Sequence, residues 1–151
     1  MKREVRIKKA IESEFIKRDK FFDTRFNYKQ RALEELLAPI RLLLIRSKIT
    51  LDGYDANNEY REKILKECNE SKRNILLEKG YLIPADLIPF AEQFIKHYEE
   101  WLQAYQEARV EQNNSEIKYV FTYTFPHESE AAFIKKYDAY RKELEIEGSL
   151  T

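Results

Sequence analysis

The sequence predicts an all-α protein, a helical bundle of four or five helices with a long N-terminal helix that is kinked or broken. Three observations carry this. Gly and Pro number only 3 and 4 in 151 residues, while 36% of residues are charged, a composition poor in helix breakers. Apolar residues recur at helical spacing along most of the chain. One stretch alone, 117–125 (IKYVFTYTF), has the β-branched and aromatic density of a strand, and one strand cannot build a sheet.

Residues 2–31 read as helix. At 100° per residue, Ile7, Ile11, Phe15, Phe22 and Phe26 share one stripe, and Lys2, Arg6, Lys9, Lys17, Lys20 and Arg31 share the opposite one. The apolar stripe keeps its phase into the densest apolar run of the chain, Leu33 to Leu51, through Leu33, Leu36, Ile40, Leu43, Leu44 and Leu51. A second set, Leu42, Ile45 and Ile49, lies on roughly the opposite side. The run is therefore apolar on two faces, which suits a helix sandwiched in a core or one that meets another chain. A straight helix from residue 3 to 50 would span roughly 70 Å, against about 40 Å for a compact domain of this size. Either the path breaks, near Asp23 to Asn27 or at Pro39, which lacks a backbone donor, or residues 1–27 project as an amphipathic arm from a single domain of residues 1–151.

Asp52 to Asn58 (DGYDANN) reads as a loop, with Asn57 or Asn58 capping a helix over about 58–79. The apolar positions of that helix are Tyr60, Ile64, Cys68, Ile75 and Leu76, and its polar stretch Asn69 to Asn74 suggests a peripheral place. Gly80 suits the left-handed residue that ends a helix. Pro84 and Pro89 bracket a short helical turn. A helix over about 88–111 presents Phe90, Phe94, Trp101 and Tyr105 with Leu87, Ala91, Tyr98 and Leu102, and is expected to form the central pair with Leu33–Leu51. Glu111 to Glu116 is a loop, and 117–125 is expected to lie as an extended connector. Pro126 suits the first position of the last helix, with Thr124 or Phe125 at its cap. Phe133, Tyr137, Tyr140 and Leu144 form the inner stripe of that helix to about Ile146.

Charge is uneven although the net is zero. Residues 1–31 hold 11 Lys and Arg against 5 Asp and Glu, whereas residues 78–151 hold 8 against 14. The basic stripe Lys2, Arg6, Lys9, Lys17 and Lys20 is a candidate surface for phosphates or an anionic membrane. Glu4, Glu12 and Glu14 interleave it and weaken the case for nucleic acid. A solvated face, or a match to the acidic C-terminal half, is the simpler reading.

Motifs for chemistry are lacking. No Glu-x-x-His stands before His97 or His127, where the residues three earlier are Phe94 and Thr124. His97 and Glu100 are a pair of groups, too few for a metal site. Cys68, the single cysteine, lies on an apolar stripe and reads as a small hydrophobe. Gly-rich phosphate loops and hydrolase or zinc signatures are absent. The reading is no enzyme, no cofactor, no metal and no small-molecule substrate. A charged N-terminus and no span of about 20 apolar residues give a cytoplasmic expectation.

The order LEELLAPIRLLLIRSK, ILLEKGYLIPADL, an aromatic helix and then YTFPHESEAAFIKKY resembles a group of bacterial and phage-borne helical proteins of unassigned activity. In many of them a similar domain follows an N-terminal transmembrane helix. The resemblance covers roughly residues 28–142. It implies an all-helical domain located near a membrane and carries no site residue. This chain differs in having a charged amphipathic helix where the group has the span.

The functional expectation is protein–protein interaction or assembly. The expected partner is a second copy, met through Phe15, Phe22 and Phe26 on the N-terminal helix with Leu42, Ile45 and Ile49, or another protein. The alternative is an anion-binding module that uses the basic stripe.

Overall fold

A computed structural model describes residues 2–52, 59–111 and 124–149, with the backbone alone for Asp19 and 146–149. The described residues are helical throughout, apart from turns, and contain no strand. Of the expected loop Asp52 to Asn58, Asp52 closes the helix before it; the rest of that loop, the Asn57 or Asn58 cap and the extended segment up to Tyr123 lie outside them.

The N-terminal path is one continuous helix. Helix α1 (Lys2–Ala32) passes into a π-helical turn, Leu33–Leu37, and on into α2 (Ala38–Asp52). The chain does not break at Asp23 to Asn27. Pro39 explains the π turn, because its ring would collide with a carbonyl one helical turn earlier. The wider turn sends the Ala38 N–H to the carbonyl of Leu33, five residues back, and moves the carbonyls aside. One extra residue is thereby taken into the turn. Consecutive Leu36 and Leu37 both point inward, at 0% and 1% exposure.

Helix α3 (Glu59–Glu78) ends without the left-handed glycine the sequence suggested. Lys79 turns the chain at φ −105°, ψ 20°, and Gly80 opens a 3-10 turn with a φ outside the left-handed region. A Cβ at Gly80 would meet nothing within 4 Å. Gly80→Ala should therefore stabilise the protein by about 0.4–1 kcal/mol, through the reduced freedom of the unfolded chain. A rise in the urea midpoint with unchanged slope would show it.

A second 3-10 turn, Ala85–Leu87, leads into α4 (Ile88–Tyr105), which is prolonged by a π-helical segment, Gln106–Glu111. Helix α5 spans His127–Ser149. Its first helical hydrogen bonds are accepted by the carbonyl of Pro126, from Ser129 and Glu130 N–H. Pro126 thus occupies the cap position, one residue later than Phe125 and two later than Thr124.

The bundle closes as a ring in which α2 and α4 each pack against both α3 and α5. The expected central pair, α2 and α4, therefore stands on the diagonal. The core joins Leu36, Leu37, Ile40 and Leu44 to Phe94 and Tyr98 of α4 and Phe133, Tyr137 and Tyr140 of α5. Phe94 is its aromatic hub, with centroids 5.6 Å from Tyr98 and 5.2 Å from Phe133.

Helix α3 is inside the ring, not peripheral. Its inner face buries three polar residues, Glu62, Asn69 and Lys72. Two of them meet partners across the bundle. Arg109 grips Glu62 with bonds of 2.6 and 3.0 Å. Lys72 Nζ donates to Ser47 Oγ at 3.0 Å and sits 4.6 Å from the Tyr98 ring centre. Leu51, assigned to the buried stripe by phase, is exposed at the end of α2.

Candidate interaction surface

Residues 2–25 form a helix whose described side chains are all exposed; the first buried one is Lys29. Burial begins where the body begins. Lys29 pairs with the Glu143 carboxylate, and the Tyr28 hydroxyl donates to the Leu82 carbonyl at 3.1 Å. Before that junction, Ile7, Ile11 and Phe15 are each more than half exposed. They lie four residues apart and so make one ridge along the helix. A shallow groove runs along each side of it. One is bordered by Ala10, Glu14 and Arg18, the other by Glu4, Lys8 and Glu12. Phe22 continues the stripe and stacks on Phe26, centroids 6.3 Å apart. Phe26 is half-buried, as the stripe approaches the core.

The basic stripe occupies the other side of the same helix. Lys2, Arg6, Lys9, Lys17 and Lys20 are all exposed. A second apolar patch lies on α2, where Leu42 and Ile49 are about two-thirds exposed and Ile45 is 38% exposed. Of the two expectations for this doubly apolar helix, a sandwich within the core does not hold for that second face.

A mainly apolar cavity of about 220 Å³ in the body is lined by Leu44, Ser47, Lys48, Leu51, Lys72, Phe125, His127 and Glu130. Burial pushes the Lys72 ammonium down to about 8 and, together with the nearby Lys72, the His97 imidazole down to about 4. Near neutral pH Lys72 is thus mainly an ammonium that donates to Ser47, while His97 is neutral and packs its ring against Phe125, centroids 5.4 Å apart. Sequence reasoning passed over Lys72 because lysines usually lie outside. A signal was present: Lys72 stands four residues from both Cys68 and Leu76, on the stripe that turns inward. Cys68 is fully buried. Among the described residues no three His, Cys, Asp or Glu side chains are grouped so as to hold a metal.

The Lys72 burial has a measurable consequence. Its folded pKa lies below its unfolded value, so the unfolded chain binds the extra proton between pH 8 and 10.5, and stability rises with pH across that window. The penalty below pH 8 is about 3 kcal/mol. Lys72→Met should stabilise the protein by roughly 1–3 kcal/mol at pH 7, and this advantage should shrink as the pH approaches 10. Urea unfolding of both proteins at pH 7 and at intervals up to pH 10 tests it. A gap that does not change with pH would refute it.

Fold and surface together define a four-cornered helical bundle with an exposed amphipathic extension. Comparison with protein families, with curated proteins and with solved structures returns no match. Among the described residues no helix is long and apolar enough to cross a membrane.

Proposed function

We propose that the protein is a non-enzymatic, cytoplasmic interaction or assembly module that associates with its own copies through the N-terminal helix. One observation carries the reading. Ile7, Ile11, Phe15 and Phe22 form a continuous apolar stripe on a helix none of whose described side chains before Lys29 is buried. An isolated amphipathic helix has no folded-state reason to hold its stripe in water, and exposed apolar surface of this continuity marks an interaction site. Phe26 extends the interface toward the body, and Leu42, Ile45 and Ile49 on α2 offer a second patch through which assembly could grow. Light scattering or sedimentation over a wide concentration range tests this directly. A strict monomer at high micromolar concentration would end it.

A second reading has its own support. The exposed basic stripe Lys2, Arg6, Lys9, Lys17 and Lys20 lies opposite the apolar one and enters no ion pair with another described residue. Such a stripe is suited to phosphates of a nucleic acid or an anionic membrane surface. Binding to a random duplex and to anionic liposomes at two salt concentrations decides it. Loss of affinity at the higher salt supports the reading, and absence of binding to both removes it.

A further inference from the structure

We infer that two N-terminal helices pair antiparallel, with Ile11 of one copy against Ile11 of the other and Glu4 of each against Arg18 of its partner. The inference rests on the self-association proposed above and adds its geometry.

The charges within the seam set the direction. Within residues 2–22 the midline of the apolar stripe, at 100° per residue, is interrupted by two charged positions, Glu4 and Arg18. They border the two grooves that flank the Ile7–Ile11–Phe15 ridge. A parallel pair in register would set Glu4 against Glu4 and Arg18 against Arg18, two like-charge contacts in a partly desolvated seam. An antiparallel pair centred on Ile11 sets Glu4 opposite Arg18 at both ends. Between these ion pairs Ile7 meets Phe15, Ile11 meets Ile11 and Phe15 meets Ile7. A medium side chain faces a large one at each outer position, which suits interdigitation.

The body supplies an independent constraint. Helix α5 runs antiparallel to the N-terminal path: Tyr137 lies under Arg41 at 4.8 Å, while Tyr140 and Glu143 reach back to Lys29. Beyond Glu143, α5 continues six residues to Ser149, about 9 Å at 1.5 Å per residue. From Lys29 onward, then, α5 already occupies the face that the arm presents to a partner. A parallel second copy would carry its own residues 29–44 and its own α5 into that space. The antiparallel copy carries its bundle to the far end of the pair, clear of α5.

The spacing of the stripe also indicates how the pair coils. Ile7, Ile11, Phe15, Arg18, Phe22, Phe26 and Lys29 follow steps of 4, 4 and 3, an 11-residue period. That period is about 3.67 residues per turn, so two such helices lie nearly straight against each other without the left-handed supercoil of a heptad.

Cysteine cross-linking of the full chain tests the arrangement, and the buried Cys68 leaves introduced thiols as the reactive ones. Ile11→Cys should form a disulfide with its own copy under mild oxidation. Glu4→Cys and Arg18→Cys should each fail to do so alone, and their pre-equilibrated mixture should cross-link. Charge reversal gives a second measurement: Glu4→Arg and Arg18→Glu should each weaken association roughly threefold to tenfold, and together restore it. Wild-type protein that stays monomeric at every concentration would end the self-association itself. An associating protein in which Glu4→Cys and Arg18→Cys each cross-link alone, or in which single charge reversals change nothing, would overturn the antiparallel geometry and leave self-association standing.

Discussion

Ile11→Glu should convert the associated protein to a monomer while leaving the bundle intact. In the single chain Ile11 is 52% exposed and belongs to no part of the core. Its replacement therefore removes no folded-state contact, and surface changes of this kind alter stability by no more than about 0.5 kcal/mol. In the proposed antiparallel pair it lies at the two-fold centre, so one substitution acts twice. It deletes two apolar anchors and places two carboxylates against each other where water is excluded. Central interface residues of this kind are worth about 2 kcal/mol or more each, so association should fall on the order of a hundredfold or more. Sedimentation velocity reads the assembly, and circular dichroism with thermal unfolding of the dilute monomer reads the fold. Unchanged association would refute the arm as the interface, and a collapse of the helical signal would show that Ile11 belongs to the core.

Arg109→Ala should have the largest effect on stability, about 3–5 kcal/mol. Glu62 is 3% exposed, and Arg109 bonds both of its carboxylate oxygens from the helical segment that follows α4. Removing the guanidinium leaves a buried carboxylate without its countercharge. For a chain of this length a loss of that size lowers Tm by roughly 10 °C. Replacing both partners with apolar residues, Glu62→Leu with Arg109→Met, should recover most of the loss, because the penalty comes from the stranded charge and not from the absence of an ion pair. Urea unfolding of the two single variants and the double variant tests this. A double variant no more stable than Arg109→Ala would show that the pair contributes through geometry the apolar residues cannot reproduce.

Much of the architecture was legible in the residues. The helical stripes placed the described helices to within a residue or two, except that α5 runs three residues past Ile146, and the phase shared by Ile7, Phe15, Leu36 and Ile40 marked the N-terminal path as one object. Pro39 was recognised as an irregularity, although its form, a π turn with two adjacent leucines facing inward, depends on how the backbone relieves the ring. Two readings failed for the same reason. The polar run of Asn69, Lys72 and their neighbours points to a peripheral α3, and the common glycine ending of helices points to a left-handed Gly80. In both cases the deciding fact is a neighbour or a backbone angle that pattern cannot carry. Lys72 is tolerated inside because Ser47 and the Tyr98 ring meet it there, and Gly80 is not left-handed because Lys79 has already turned the chain.

By itself the sequence determined that this chain is helical, which side of each helix is apolar, and that the N-terminal helix is basic on one face and apolar on the other. These follow from side-chain chemistry and a fixed angular step, which are local properties. Only the tertiary structure decided where that apolar stripe stops being core. The body meets it from Phe26 onward, where Phe26 and Tyr28 are half-buried and Lys29 is buried, and every described side chain before Phe26 is exposed. The boundary is set by where Leu82 and α5 reach α1, contacts between residues more than fifty positions apart, and no local pattern records it.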